Sequence, residues 1–380
     1  MVRIQCTEDF KKNPTVIRVI GVGGGGGNAV NRMVEAGLRG VDFIVLNTDA
    51  QDLRRNKAPV RIQMGENLTK GLGVGGDPCK GRQSALESAE SIKEIIAGSD
   101  LIFITAGMGG GTGTGAAPVV AQLARETSAL VIGVVTRPFD FEGRPRSAQA
   151  ETGIKEMRNF VDSLLVIPND RLFAIIEKET SSHEAYRIAD DVLRQAIQGI
   201  SDVITASGDI NVDFADVKKI MAKSGEALIG IGQAEGPNRH LEAAKKAIHS
   251  PLLENAVIEG AKGILVNFSA NKSITLSELK EGMEYIRRSA VDANIKYGQA
   301  YDETLGDALK ITVIATGFPS AEGGRRPDAG LTKRNLLSPG RTGIEDFQDE
   351  PAERSPARDL RGETDYSRPA YLRTKSTKLK

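Results

Sequence analysis

Leu101-Ile102-Phe103-Ile104-Thr105-Ala106 runs into Gly107-Met108-Gly109-Gly110-Gly111-Thr112-Gly113-Thr114-Gly115, and then into a helical pattern over residues 116–127. An apolar β-branched run, a glycine cluster and a helix, in that order, place the glycines at the carboxyl end of a buried strand. There the backbone can approach a phosphate closely, and the free N–H groups and partial positive charge of the helix start point at it. Thr112 and Thr114 add hydroxyl donors. The same arrangement stands earlier in the chain, where the run 16–22 leads through Gly21-Val22-Gly23-Gly24-Gly25-Gly26-Gly27-Asn28 into a helix over 28–36. Two such loops in one sheet suggest a single polyphosphate held from both sides.

Working outward, apolar runs at 16–22, 41–47, 101–106, 130–136 and 163–167 alternate with helical patterns at 28–36, 80–97, 116–127 and 148–160. Strand and helix in alternation with short connections predict an α/β fold with a doubly wound parallel sheet. A long helix is predicted over 182–206, where Ala189, Val192, Leu193, Ala196, Ile197, Ile200, Val203 and Ile204 recur at three- and four-residue steps. At 1.5 Å per residue it spans roughly 35 Å. Beyond it the pattern predicts helix 216–223, strand 227–233, helix 239–248, strand 263–269, helix 276–291 and strands near 295–301 and 310–316. Thr275-Leu276-Ser277-Glu278 supplies a capping box. The expected organisation is an N-terminal extension (1–15), a nucleotide-binding domain (16–181), a central helix (182–206), a smaller α/β domain (207–318) and a disordered tail (319–380).

Composition excludes several classes. The 380 residues hold 50 Lys+Arg and 50 Asp+Glu, so the whole chain is not a polyelectrolyte for nucleic acid. Two cysteines provide neither a disulfide framework nor a Cys-rich metal site. Aromatics are 4% and tryptophan is missing, which disfavours base-stacking platforms. No apolar signal core stands among the first residues, and the apolar runs fall far short of the roughly 20 residues of a membrane span, so a cytoplasmic protein is expected. Residues 319–380 hold 13 Lys+Arg, 10 Asp+Glu and 6 of the 15 prolines, a composition that buries too little apolar surface to order itself.

The first glycine cluster, with Gly21, Gly23 and Gly26, also satisfies the G-x-G-x-x-G dinucleotide fingerprint, and Asp42 lies at a plausible spacing for a ribose contact. A dinucleotide enzyme, such as an NAD-dependent oxidoreductase, does not require the second loop. The P-loop G-x-x-x-x-G-K-[ST] is missing, and Asn56-Lys57 continues into Ala58-Pro59 rather than into an Asn-Lys-x-Asp guanine motif.

Residues 107–115 match the tubulin signature loop, and residues 16–318 resemble the tubulin/FtsZ family of polymerising GTPases, whose FtsZ branch acts in bacterial division. The resemblance also rests on Asn47-Thr48-Asp49-Ala50-Gln51, Gly71-Leu72-Gly73-Val74-Gly75-Gly76, Thr136-Arg137-Pro138-Phe139-Asp140-Phe141-Glu142-Gly143, Pro168-Asn169-Asp170 and Asn211-Val212-Asp213-Phe214-Ala215-Asp216, in the family's order and spacing. It implies that GTP or GDP is bound, with Mg²⁺ and with no firm metal ligand from the protein. Gly24, Gly25, Gly26, Gly27, Asn28, Gly110, Gly111, Thr112 and Gly113 would hold the phosphates, and Ala50, Gly73 and Thr136 join the same site. The resemblance casts Glu142 as ribose acceptor with Arg146 beside it, Asn169 and Asp190 as readers of the guanine edge, and Tyr186 as a stacking ring. Gly27 stands where many relatives have Asn. A carboxylate suits guanine because it accepts the N1–H and amino protons together. Read alone, Glu142 and Arg146 are equally solvated loop charges, Asp190 an exposed helix face and Tyr186 a core-rim residue.

Asp213 and Asp216 begin a helix, where acids are common as caps. Asp213 lies 23 residues after Asp190, on the order of 30 Å along a helix, so these acids do not reach their own subunit's phosphate. The resemblance implies that they act on a neighbour's GTP, which requires head-to-tail stacking into filaments. In the tail, Tyr366-Ser367-Arg368-Pro369-Ala370-Tyr371-Leu372-Arg373 resembles the peptide by which the family binds membrane-tethering division adaptors, so contact with membrane is expected only indirectly. The combined expectation is a filament-forming GTPase assembling at mid-cell. A tubulin-like protein that segregates DNA is the nearer alternative.

Overall fold

The computed structural model describes residues 15–174, 176, 179–205, 210–253 and 258–318. All of them belong to one compact unit. The N-terminal extension and the tail, with its adaptor-like peptide, lie outside the described residues.

The chain opens with β1 (Ile17–Val22), α1 (Gly23–Glu35), β2 (Asp42–Asn47), α2 (Ala50–Arg55), β3 (Val60–Gln63), α3 (Glu66–Thr69), α4 (Pro78–Glu87) and α5 (Ala89–Ile96). It continues through β4 (Leu101–Gly107), α6 (Thr112–Arg125), β5 (Leu130–Arg137), α7 (Arg144–Arg158) and β6 (Ser163–Pro168). The long α8 (Ser182–Thr205) leads to α9 (Phe214–Met221), β7 (Gly225–Ala234), α10 (Arg239–Ile248), β8 (Gly263–Ala270), α11 (Leu276–Arg288), β9 (Asn294–Tyr301) and β10 (Leu309–Thr316).

The strands β1, β4 and β5 read as continuous apolar runs because both faces of the sheet are covered. One face buries Val19, Phe103 and Ile132 with Ala29 and Val30 of α1 and Val192, Ala196 and Ile200 of α8. The other buries Ile20, Ile104 and Val135 with Ala116, Val120 and Ala124 of α6 and Ile154 and Met157 of α7.

Strand order is β3-β2-β1-β4-β5-β6-β7-β10-β8-β9. The first six strands are all parallel, and the order reverses between β1 and β4. At such a switch point the connections leave for opposite faces, which opens a crevice at the carboxyl ends of the strands. The expected smaller domain is present as β7 to β10, with β10 antiparallel to β7 and β8. Its strands continue the same sheet, because β7 pairs with β6 from Ser163–Gly225 to Leu165–Ala227.

Three local differences from the sequence reading have physical causes. The single helix expected over 80–97 breaks at Ser88, whose hydroxyl accepts the Gly65 N–H at 3.2 Å. Strand β3 has only four residues, too short to show a period. Helices α1 and α6 begin at Gly23 and Thr112, several residues before their apolar patterns, so most glycines of the first cluster are helical. Close packing requires some of the glycines at the two helix starts. A Cβ on Gly26 would stand 2.3 Å from the Thr105 carbonyl oxygen, and one on Gly115 would stand 2.0 Å from that of Pro78.

Candidate nucleotide site

The crevice between β1 and β4 contains a cavity of about 350 Å³, within the size range of small-molecule sites. Two helix starts form its floor. Val22 precedes α1 and Gly111 precedes α6. Neither helix has a side-chain cap or an acidic residue in its first turn. By contrast, α2, α4 and α11 are capped by Asp49, Asp77 and Thr275. Uncapped N–H groups and two aligned helix dipoles facing a cavity are a place for an anion. The loops are held rigidly. Gly109 N–H donates to Thr114 Oγ1 at 2.8 Å, and the hydroxyls of Thr48 and Thr112 lie 2.7 Å apart. Positive φ at Gly23 (71°) and Gly109 (98°) makes the turns off the strand ends.

The walls come from β5, β6 and α8. After β5, Pro138 leads into a single 3₁₀ turn, Asp140–Glu142. The Glu142 carboxylate accepts the Phe139 N–H at 2.9 Å and the Arg146 guanidinium at 3.0 Å. Phe139 is buried and anchors the wall. Its ring stacks on Phe141 at 5.1 Å and meets Tyr186 edge-on at 5.4 Å. After β6, Asn169 turns inward. It is 6% exposed, and its Oδ1 has no hydrogen-bond partner among the described residues. Such an orphaned acceptor is costly unless a ligand supplies a donor. Helix α8 brings Tyr186, Ala189, Asp190 and Leu193 to the remaining side, one helical face. Burial pushes the Asp190 carboxyl up to about 7, against the attraction of Arg32. Burial also raises the Tyr186 hydroxyl, with the Glu142 charge acting the same way.

Of the sequence-predicted residues, Gly24, Gly25, Asn28, Gly110, Gly111, Thr112, Gly113, Thr136, Glu142, Arg146, Asn169, Tyr186 and Asp190 converge on the cavity. Four do not line it. Gly26 packs on β4, and the Gly27 carbonyl accepts from Asn56 Nδ2 at 2.9 Å. Ala50 N–H donates to Gly71 O and Gly73 N–H to Thr48 O, so both belong to the outer loops bracing the site. The Val74 methyl and the Asp77 backbone of that bracing segment leave no room for a Cβ on Gly111.

Sequence reasoning missed the apolar lining: Val22, Met108, Pro138, Ala189 and Leu193, together with Gly107. Ala189 and Leu193 carried a usable signal, being on the helix face shared by Tyr186 and Asp190. Asp42 is misplaced for a ribose. It starts β2 at the amino end of the sheet, 3.8 Å from Arg18 Nε, whereas the cavity lies at the carboxyl ends.

Asp213 and Asp216 stand at that opposite end. Lys218 of α9 reaches the Ser128 carbonyl just before β5, and Met221 O accepts from the hydroxyl of Ser163, where β6 starts. The length of β5, about 26 Å at ~3.3 Å per residue, separates the two regions. Asp213 is the exposed N-cap residue of α9 and its side chain makes no capping hydrogen bond, while Asp216 Oδ1 pairs with Lys296 Nζ at 3.1 Å. No cluster of three or more His, Cys, Asp or Glu suited to a metal ion occurs among the described residues.

Residues 16–177 match the Tubulin/FtsZ family, GTPase domain, and residues 225–319 match the FtsZ family, C-terminal domain. Among solved structures, an empty FtsZ dimer from M. jannaschii is 42% identical with a TM-score of 0.78, covering 81% of this chain and 89% of that one. A point-mutant FtsZ from M. jannaschii matches at 42% identity and a TM-score of 0.78, over 80% of this chain and 92% of that one. GDP-bound CetZ1 from Haloferax volcanii is similar in fold, at 23% identity and a TM-score of 0.70 over 81% and 96% of the two chains. With a parallel sheet opening at its switch point onto two uncapped helix starts, and with this likeness over four-fifths of its length, the chain belongs to the tubulin/FtsZ family of GTPases.

Proposed function

We propose that this protein binds GTP in the β1–β4 crevice, stacks head to tail into filaments, and hydrolyses the nucleotide at the contact between successive subunits during cell division. The observation that carries the reading is the separation of the cradle from the acids: the phosphate-sized floor at the carboxyl ends has no acid in its first helical turns, and Asp213 and Asp216 lie at the amino ends.

In this reading the phosphates sit on the backbone N–H groups of 24–28 and 110–113. Gly26, Gly27, Ala50 and Gly73 brace these loops. Glu142 accepts a ribose hydroxyl, Tyr186 stacks on the base, and Asn169 and Asp190 accept the guanine protons. Mg²⁺, held chiefly by phosphate oxygens, would neutralise charge on the γ-phosphoryl group. Asp213 and Asp216 of the next subunit orient a water for in-line attack. The water oxygen bonds to the γ-phosphorus, the bond to the β–γ bridging oxygen breaks, and GDP and phosphate result. Such a reaction needs positioning and charge neutralisation more than covalent help. The Tyr366–Arg373 peptide serves as the adaptor-binding segment of a cytoplasmic, mid-cell assembly.

The test is nucleotide-dependent pelleting with GTP, GDP, ATP and NAD, alongside phosphate release at rising protein concentration. The reading expects polymer with GTP, and turnover per subunit that climbs with concentration. Full turnover at a dilution without polymer would overturn it. A fluorescent fusion gathering in a mid-cell ring supports the division role, and moving plasmid-associated filaments would replace it with DNA segregation.

A further inference from the structure

We propose that Lys296 of β9 is a positioning residue for hydrolysis: it draws the Asp216 carboxylate away from the start of α9 and holds it for use by the next subunit's nucleotide. The inference rests on the proposed function, in which Asp216 acts on a neighbour's GTP, and names the residue that sets this acid in place.

An acid at a helix start ordinarily turns back to the unpaired N–H groups there. Other helices of this chain show it. The N-cap Asp49 of α2 accepts the Gln51 N–H at 2.8 Å, and Glu278, third residue of α11, accepts the Thr275 N–H at 2.8 Å. Helix α9 has acids at the same two positions, Asp213 as N-cap and Asp216 third, and neither side chain caps the helix. Asp216 Oδ1 instead meets Lys296 Nζ at 3.1 Å, across from a strand of the smaller domain. Its Oδ2 has no partner among the described residues.

The pair stands on a fixed base. Lys296 and Gly298 share one face of β9. A Cβ on Gly298 would stand 3.2 Å from Val203 Cγ1 of α8 and 3.5 Å from the Ile210 carbonyl oxygen, and that oxygen accepts the Gln299 N–H at 2.9 Å. Val212 is buried in the core. At the far end of α9, the Ile220 carbonyl accepts the Thr316 hydroxyl at 3.2 Å. The acid segment is thus fastened to β9 before the helix and to β10 behind it. Lys218 of α9 is committed to the Ser128 carbonyl at 3.3 Å, so it does not replace Lys296.

Direction and charge both matter. With Oδ1 held, Oδ2 is left to accept from a water. Two carboxylates approaching a polyphosphate are repelled by it, and the Lys296 ammonium cancels one of those charges. In the free subunit the pair is partly exposed and weak. A neighbouring subunit laid over it removes water and strengthens it. Lys296 therefore contributes little to the fold and most in the filament.

The experiment compares the full-length native chain with Lys296→Met, Lys296→Arg, Asp216→Ala and the Lys296→Met/Asp216→Ala double variant. It measures GTP turnover per polymerised subunit, KM for GTP, GDP affinity and the unfolding midpoint. Lys296→Met should lower kcat roughly 5–10-fold, with KM, GDP affinity and unfolding near native, because only the aim of an acid is lost. Lys296→Arg should restore most of the turnover. In the Asp216→Ala background Lys296→Met should cause no further loss, since the two act as one unit. Native turnover per polymerised subunit in Lys296→Met overturns the proposal while the acid reading stands. So does an Arg variant as impaired as the Met variant, or an undiminished further loss in the double variant. Native turnover in Asp216→Ala would overturn both.

Discussion

The two ends of the parallel sheet are built on opposite plans. At the carboxyl ends, backbone meets backbone: glycines of α1 and α6 press against Thr105 O and Gly107 O, two helix starts are left uncapped, and an unpartnered Asn169 oxygen faces a cavity. At the amino ends Asp213 is an exposed helix N-cap residue whose side chain makes no capping hydrogen bond. One end is a mould whose two helix starts carry no acid in their first turns, and the other presents two acids at the start of α9. Under the proposed function the two ends would complete one another's chemistry by joining, which is the geometry of a heterologous, repeating contact.

The comparison breaks most decisively on hydrolysis. Asp213→Ala and Asp216→Ala should each lower GTP turnover by about 100-fold or more, as removal of a transition-state contact does. GDP affinity should stay within about threefold, since neither side chain is near the binding cavity. Mixing Asp213→Ala with an Asp190→Ala partner, which keeps its acids but binds nucleotide poorly, should recover part of the phosphate release. Mixtures no more active than the sum of the separate proteins would refute the division of labour.

Glycine substitutions sharpen the mould. Gly26→Ala should destabilise the protein by about 1–3 kcal/mol in denaturant unfolding, because the added methyl meets the Thr105 carbonyl. Gly24→Ala, whose methyl would meet only Asp52 Oδ2 at 3.5 Å, should leave stability near native and weaken nucleotide binding, because Gly24 lines the cavity.

A smaller effect separates a strained carboxyl from a satisfied one. The folded-state pKa of Asp190, about 7, is raised above its usual 3.8, so ionising it costs the ligand-free fold stability at high pH, and the cost disappears as pH falls from 7 toward 4. Asp190→Asn should therefore raise the thermal midpoint at pH 8 by about 2–5 °C, with the gap closing on acidification. Glu278 behaves oppositely. Its hydrogen bond with Arg239 lowers it to about 2, so its contribution is complete above its usual 4.5 and is lost as pH drops toward 2. Glu278→Gln should lose stability at neutral pH and match native protein in strong acid. The smallest expected change is from Lys296→Ala. Its half-exposed pair with Asp216 contributes at most about 1 kcal/mol to folding, so only turnover, not the unfolding midpoint, should respond.

Much of this was legible along the chain, and what was not has a pattern. The alternation of strands and helices, the long α8, the two glycine clusters and most polar lining residues were readable. Residues 182–206 show a helical period over more than six turns, and the strands at 101–106 and 130–136 are apolar on both faces. The starts of α1 and α6 were misjudged because glycine suggests a turn when its neighbours in space are unknown.

Local spacing alone decided which elements form, because period and turn chemistry depend on residues within a few positions of one another. Only the tertiary structure decided which glycines face the cavity and which pack, that Asp42 sits at the wrong end of β2, and that the smaller domain extends the same sheet. Those facts depend on contacts between segments far apart in the chain, set by strand order and helix packing, and no short-range pattern encodes them.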